Sequence, residues 1–414
     1  MRARVRGAAM GAVLLVLAFV TMAWSADPAA AQVAVRGETV YPVSGPAITD
    51  GVVLVGADGL IEAVGSAGEV TIPDGYRVLE GAVVTPGLVN GRSVVGLAGH
   101  LNVPDDQDQM DLSAAIQPQL RALDAYNARE LLVEWVRNHG TTTLHTGHAP
   151  GPLVSGQTML VKTRGDRVGE ALVDSVTMVA MTLGPPATGV SDRPPESRPS
   201  AVALLRQELI RAEEYARKRA EGGEGAPSRD LSLEMLARVL EGEIPALITA
   251  QQVTEIMAAL RLQREFGFEL VLDGAAESHL VVDDIREAGV PVILHPPLAR
   301  YAGQLENATY ETARILKDAG IPVTIQSGFE AYVPKTRVLL FEAAPLVAHG
   351  LSFDETLALV TLDAARILGI DHRVGSLEVG KDGDVVVFDG DPFEYVSRVC
   401  GVVIEGEVVS EECH

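Results

Sequence analysis

Cysteine, aromatic residues and positive charge are all scarce in this sequence of 414 residues. It has 2 cysteines and 4% aromatic residues, and its 33 Lys and Arg stand against 56 Asp and Glu, for a formal net charge of -23. Without clustered basic residues the chain cannot neutralise a phosphate backbone, so we expect no nucleic-acid partner. The acidity also argues against binding to anionic membrane surfaces. Hydrophobic residues make up 47% of the chain, which is enough for a large α/β domain and a smaller one.

Motifs for phosphate binding and for nucleophilic catalysis are also missing. The stretch 151–157 contains glycine but lacks the lysine and the spacing of a P-loop. No GxSxG sequence occurs, and Cys400 lies in a β-type segment far from any evident base. Catalysis by an activated Ser or Cys therefore has no support in the sequence.

The first residues have the composition of a secretory signal. Three arginines within the first six residues precede an apolar run over residues 8–22, and small residues follow it. We predict a signal peptide over residues 1–31, cleaved after Ser25 or Ala31, and hence an exported protein in the periplasm or outside the cell. No cysteine follows the run, so a lipid anchor is not expected. The alternative is an uncleaved membrane anchor, although the run is shorter than the ~20 residues of a membrane span. No other stretch is long and apolar enough to cross a bilayer.

The two cysteines flank a predicted hairpin near the end of the chain. Cys400 and Cys413 bracket an apolar segment that turns near Gly406, and cross-strand geometry brings the two positions near each other. A disulfide that ties down the last strand is one interpretation, and it suits an exported protein. Two free thiols on a loose tail are the other.

The two ends of the sequence resemble each other in style. Residues 33–83 and 374–409 both alternate short apolar runs with turn residues, and Asp58-Gly59 is a hairpin signal. We predict that segments 32–84 and 373–414 together form one small β-sandwich domain.

The segment 85–372 follows a different pattern, in which apolar strand-like runs alternate with helical stretches. Such runs are typical of a parallel sheet buried on both faces. We count eight of them, namely the run before Asn90 and residues 141–146, 158–163, 174–183, 244–249, 268–274, 290–297 and 321–328. Eight units predict a (β/α)₈ TIM barrel, with an open doubly wound sheet as the alternative.

Residues 184–229 are predicted to be an insertion at one rim of the barrel. A Pro- and Ser-rich loop opens the segment, and a charged helix over 204–221 carries opposite charges at helical spacing. It is interpreted either as a lid or, more simply, as a solvated insertion.

Four stretches carry a family resemblance that covers nearly the whole mature chain. VVTPGLVNG (83–91) is similar to the first barrel strand of the amidohydrolase superfamily, and the segment from Thr361 to Tyr395, TLDAARILGIDHRVGSLEVGKDGDVVVFDGDPFEY, resembles its C-terminal block. AYNARELLVEWVRNHGTTTL (125–144) and PLVSGQTMLVKTRG (152–165) resemble the exported, imidazolonepropionase-like branch. The resemblance implies hydrolysis of non-peptide C–N bonds, assisted by one or two divalent ions that are usually zinc.

The resemblance also implies a ligand set at the C-terminal ends of the barrel strands. It comprises two His on strand one, one His after each of strands five and six, and an Asp after strand eight that also acts as general base. This sequence departs from it at each place, with Arg92, Val94, Thr249, Gly274 and Gly328 at the five positions. A catalytic zinc site needs at least three protein ligands, so we expect no metal cofactor at the usual place.

Other polar residues fall at the same ends of the strands, where barrel enzymes place their chemistry. The candidate pocket residues are Arg92, His145, His148, Asp273, Glu277, His295, Glu330 and Lys335, with Tyr332 beside them. The three histidines and Asp273 have the atoms for a displaced zinc site. Alternatively, each histidine is a hydrogen-bonded structural residue, and Asp273 forms an ion pair with Arg92 in the space that metals occupy in the family.

Three functions are left open. One is a non-catalytic binding member of the family, a pseudoenzyme whose pocket can take a small-molecule ligand. The second is an active hydrolase of cyclic amide or amidine C–N bonds that uses a displaced metal. The third is a subunit that forms homo-oligomers or pairs with an active homologue.

Overall fold

The computed structural model describes residues 32–188, 195–329 and 337–414, so the predicted signal peptide lies outside the described residues. The strands are β1 (Val33–Val40), β2 (Ile48–Val55), β3 (Ile61–Ser66), β4 (Arg77–Pro86), β5 (Leu88–Ser93), β6 (Thr141–Gly147), β7 (Val154–Lys162), β8 (Leu172–Asp174), β9 (Val179–Thr182), β10 (Ala246–Ala250), β11 (Leu270–Gly274), β12 (Val292–Leu294), β13 (Val323–Ile325), β14 (Val385–Phe388), β15 (Val399–Ile404) and β16 (Glu407–Ser410). The helices are α1 (Leu131–Asn138), α2 (Val168–Ala171), α3 (Arg198–Glu221), α4 (Leu231–Leu240), α5 (Val253–Phe266), α6 (Val282–Ala288), α7 (Thr312–Asp318), α8 (Leu339–Ala348), α9 (Phe353–Leu359) and α10 (Leu362–Ile367).

The two chain ends form one sheet separate from the barrel, as the sequence predicted. Its order is β16-β15-β14-β4-β1-β2-β3, with β4 parallel to β1 and antiparallel to β14. Alternate valines on these strands pack into one apolar cluster because successive side chains point to opposite faces. The turn between β2 and β3 packs against the turn between β15 and β16. Gly59, with φ of 79°, lies where a Cβ would be 2.5 Å from the carbonyl oxygen of Glu405, a position that favours glycine.

The central segment forms a nearly closed barrel of eight strands in the order β13-β12-β11-β10-β9-β7-β6-β5. Hydrogen bonds close the remaining gap at the ends of β5 and β13. Asn90 Nδ2 donates to Ser327 Oγ over 2.6 Å, and the amide of Ser327 donates to Asn90 Oδ1 over 3.1 Å. Neighbouring strands from β9 to β13 are parallel, and so are β5 and β6. The TIM-barrel architecture is therefore confirmed, with one exception.

The third barrel strand, β7, does not have the predicted direction. It runs antiparallel to both β6 and β9, whereas the sequence pattern predicted eight parallel strands. The reason is that β7 begins at Val154, four residues before the predicted start at 158. Only six residues separate it from β6, and a parallel crossover needs a dozen or more.

Several other strands are shorter than their apolar runs. The run 174–183 contributes β9, which is parallel to β10, and only its first residue, Asp174, belongs to β8, which pairs antiparallel with β7. The runs 290–297 and 321–328 contribute only β12 and β13, of three residues each. Pro296 and Pro297 come one residue after β12, and neither can donate a ladder hydrogen bond.

Helix α3 of the predicted insertion is not simply solvated. Its face with Leu205, Leu209 and Tyr215 is buried, and α3 packs against α4 and α5. Arg198 at its start donates to the buried carboxylate of Glu255 on α5. The sequence pattern did not predict this buried face, because the many charged residues at helical spacing are typical of an exposed helix and the apolar stripe between them is narrow.

A buried ion network links the barrel to the end sheet. Lys162 Nζ at the end of β7 lies 2.9 Å from Asp382 and 2.7 Å from Asp384, in the segment that leads into β14.

Cys400 on β15 and Cys413, which follows β16, form a disulfide, so the first of the two interpretations is confirmed. In the described part of the chain, no helix has both the length and the apolar character needed to cross a membrane.

Candidate functional site

The C-terminal mouth of the barrel has a floor of polar side chains that satisfy one another. Thr249 on β10 and Asp273 on β11 are neighbours in register, so both side chains reach the same layer of the barrel. Arg92 on β5 donates from Nη1 to Asp273 Oδ2 over 2.7 Å, and Thr249 Oγ1 donates to the same oxygen over 2.5 Å. Gln326 Nε2 donates to the other oxygen, Oδ1, over 2.7 Å. The predicted ion pair between Arg92 and Asp273 is therefore present, and both carboxylate oxygens are engaged.

Arg92 is held as a buried cation. Its side chain is 3% exposed, and Nη2 donates to the carbonyl oxygen of His148 over 2.9 Å. Burial lowers the pKa of Arg92 from its ordinary value, while Asp273 acts in the opposite direction. A guanidinium titrates far above neutral pH, so the charge persists, and Asp273 is its compensating partner.

His295 also reaches the mouth, at the end of β12. Its Nδ1 lies 3.0 Å from the carbonyl oxygen of Pro296, which can only accept, so Nδ1 carries the proton and Nε2 is left as an acceptor. Burial lowers the pKa of His295, so the ring is neutral at pH 7. Tyr301 packs edge-on against the ring, with centroids 5.9 Å apart.

A cavity of about 240 Å³ opens above this floor. Arg92, Asp273 and His295 line it, and so do Gln326, Arg300 and Phe329, which the sequence did not single out. A second cavity of about 320 Å³ adjoins it and shares Phe329 as a wall. Gln326 could have been found from its place just past β13, but nothing in the sequence marks Arg300.

His145 lies inside the barrel wall and does not line the cavity. It is part of β6 and fully buried, with Nδ1 2.7 Å from the carbonyl oxygen of Gly91 and Nε2 2.7 Å from Thr158 Oγ1. Burial lowers its pKa to about 4, so the ring is neutral. Both ring nitrogens have hydrogen-bond partners, so His145 is a hydrogen-bonded structural residue, which was one of the two alternatives from the sequence.

His148 and Glu277 also lie away from the cavity. The ring of His148 is buried beside Gly156, and burial lowers its pKa to about 4. Glu277 accepts from the amide of Val253 at the start of α5 and from Asn307, so it caps a helix. Glu330, Tyr332 and Lys335 lie outside the described residues.

The donor atoms at the mouth do not fit a zinc ion. No group of three or more His, Cys, Asp or Glu that could hold a metal occurs within residues 32–188, 195–329 and 337–414. Gly274 and Gly328 both have positive φ, and a Cβ there would lie 2.3 Å from Gln251 Nε2 and 2.4 Å from Pro296 Cγ, respectively. These two positions therefore lack a ligand, and any side chain there would have to adopt a backbone conformation that favours glycine.

Fold and site together define an α/β barrel of the kind that carries chemistry at the C-terminal strand ends, with an attached sheet from both chain ends. Comparisons with known proteins agree. The model of the amidohydrolase family matches residues 257–409. A solved amidohydrolase from Thermotoga maritima MSB8 superimposes with a TM-score of 0.85 and 26% identity, over 92% of this chain and 100% of that one.

Two curated relatives show the extent of the sequence likeness. The amidohydrolase tasK of Hapsidospora irregularis is 24% identical over 336 residues, which are 73% of this chain and 34% of that protein. A probable imidazolonepropionase of Xenopus tropicalis is 38% identical over 163 residues, 35% of each chain. The chain thus spans about a third of the length of the curated relatives it matches. In sequence and fold the chain resembles the amidohydrolase superfamily and, within it, the imidazolonepropionases.

Proposed function

We propose that this chain is a non-catalytic member of the amidohydrolase superfamily, a small-molecule-binding protein that has lost the usual metal ligands and kept the mouth of the barrel as a pocket. The observation that carries the proposal is the ion pair of Arg92 and Asp273. It places a buried guanidinium against Asp273, the carboxylate among the described residues that line the cavity.

Two further features support the loss of metal chemistry. The five positions that the family resemblance marks for ligands hold Arg92, Val94, Thr249, Gly274 and Gly328. Arg, Val and Gly provide no zinc ligand, and a Thr hydroxyl is a weak one at best. Asp273, the nearest carboxylate, already accepts hydrogen bonds from three side chains.

A hydrolase with a displaced metal has less support. It needs His145, His148 and His295 to converge with Asp273, and the first two do not line the cavity. His145 would also have to give up both of its hydrogen bonds before it could bind an ion.

Export is part of the same proposal. The signal-like first residues suggest it, and the disulfide between Cys400 and Cys413 supports it because disulfides persist in oxidising compartments. Homo-oligomers or pairing with an active homologue stay predictions.

The test is a titration of the purified mature chain with zinc and with a chelator, followed by thermal unfolding. A ligand that binds only the folded state raises the unfolding temperature, and removal of a resident ligand lowers it. We expect neither zinc nor chelator to move the transition. The double variant Arg92→His with Val94→His has imidazoles at the first two ligand positions of the family resemblance. It serves as the positive control for zinc binding in this assay. A clear drop in unfolding temperature on chelation of the wild-type chain would contradict the proposal.

A further inference from the structure

The cavity at the barrel mouth differs in charge from the rest of the molecule. The chain as a whole carries a net charge of -23. The described lining of the cavity contains three arginines, Arg92, Arg300 and Arg337, and a single carboxylate, Asp273. A local excess of positive charge favours anionic ligands over cationic ones, although the protein as a whole is acidic.

Two of these arginines have carboxylate partners. Arg92 is paired with Asp273, and Arg337 donates to Glu342 over 3.2 Å. Arg300 is exposed at the rim, and among the described residues it forms no ion pair. One guanidinium is therefore available to a ligand, and its planar pair of donors matches a carboxylate. Phosphate sites usually gather several cations, whereas two of the three described arginines are already paired with carboxylates.

His295 supplies a second, chemically different contact. It is 4% exposed and lines the cavity, and its Nε2 is an acceptor without a partner in the described residues. This nitrogen is open to the cavity, so it can accept a hydrogen bond from a donor on a ligand. His295 and Arg300 belong to one loop, five residues apart, and both face the same cavity.

Part of the remaining wall is apolar and includes a ring, while Ser93 and Gln251 also line the cavity. Val94, Pro150, Leu305 and Phe329 line the same space. Apolar walls with few placed polar groups are typical of small-molecule pockets, and Phe329 can stack on a flat ring.

We infer that the pocket binds a small aromatic monocarboxylate with a ring hydroxyl, whose carboxylate pairs with Arg300 and whose hydroxyl donates to His295 Nε2. This inference rests on the proposed binding function and names its ligand class. The ion pair below the ligand stays closed, since Arg92, Thr249 and Gln326 already satisfy Asp273.

The test is calorimetric titration of the metal-free mature chain with the three positional isomers of hydroxybenzoate. Benzoate lacks the hydroxyl, the hydroxybenzamides lack the charge, and inorganic phosphate tests for a general anion site. We expect at least one hydroxybenzoate to bind more tightly than its benzamide by about tenfold or more, the size of a lost charge-assisted hydrogen bond. Phosphate should give no heat.

Two variants assign the contacts. Arg300→Gln should weaken the hydroxybenzoate about tenfold and leave the benzamide unchanged, and His295→Leu should remove the preference for hydroxybenzoate over benzoate. Arg217→Gln, on the exposed face of α3, is the matched control and should bind like the wild type. Circular dichroism confirms the fold of each variant.

The inference is overturned if no hydroxybenzoate binds, if phosphate competes with it, or if Arg300→Gln binds as the wild type does. Those results leave the proposed function standing when the protein remains free of metal. Stoichiometric zinc in the same preparation would overturn the proposed function instead.

Discussion

Replacing Arg92 by methionine is the most informative change, because it removes the charge and keeps much of the volume. The side chains of Arg92 and Asp273 are 3% and 2% exposed, so Asp273 would remain as a buried carboxylate without its cation. Breaking such a pair from one side costs about 3–5 kcal/mol. Thr249 and Gln326 would still donate to the carboxylate, so we expect a loss near the lower end, about 3 kcal/mol.

The assay is urea unfolding at pH 7 of Arg92→Met, Asp273→Leu and the double variant. The double variant should be more stable than either single variant, since it buries no unpaired charge. Arg206→Met, in the exposed pair with Glu265 on α5, is the matched control and should change stability little. If Arg92→Met stays within about 0.5 kcal/mol of the wild type, the range of ordinary surface changes, the reasoning about the buried pair is wrong.

Three further predictions concern other parts of the molecule. Lys162→Met should destabilise the chain by about 3–5 kcal/mol in urea, because Asp382 and Asp384 lose their buried cation; an unchanged midpoint would contradict this. The pKa of His145 is lowered to about 4 in the folded state, so it stabilises the fold above its ordinary pKa near 6.5. That stability is lost as the pH falls from 6.5 toward 4, by about 1.4 kcal/mol per pH unit. His145→Gln should flatten the pH dependence of the free energy of unfolding over this range. The same pH dependence in the variant and the wild type would show that His145 is not the titrating group. Reduction of the disulfide that Cys400 forms should cost about 2–4 kcal/mol in thermal unfolding, and two free thiols in unfolded, unreduced protein would disprove the bridge.

The sequence predicted the architecture where local pattern and chain topology agree. The valine-rich segments at both ends most simply form one sheet together, and the runs around β10 and β11 are apolar on both faces. The direction of β7 was missed because its first four residues, Val154 to Gln157, include a serine and a glycine that hide the start of the strand. The length of the connection, not the composition of the strand, decided its direction.

The candidate site was predicted in part. Arg92, Asp273 and His295 do meet at the mouth, since all three follow or end barrel strands. His145 does not reach the cavity, although it was a candidate pocket residue. All seven residues of β6 are buried, and the position along the strand decides which side chains reach the mouth. Arg300 carries no signal in the sequence, because its role depends on a loop path that only the fold defines.

The central claim is that the barrel mouth holds an ion pair in place of a metal. The most direct test is elemental analysis of the mature chain, produced in zinc-supplemented medium and freed of loosely bound ions by dialysis. We expect far less than one zinc, or any other divalent transition metal, per chain. One tightly held ion per chain, together with a measurable hydrolase activity that is lost when a chelator removes the ion, would contradict the proposed function.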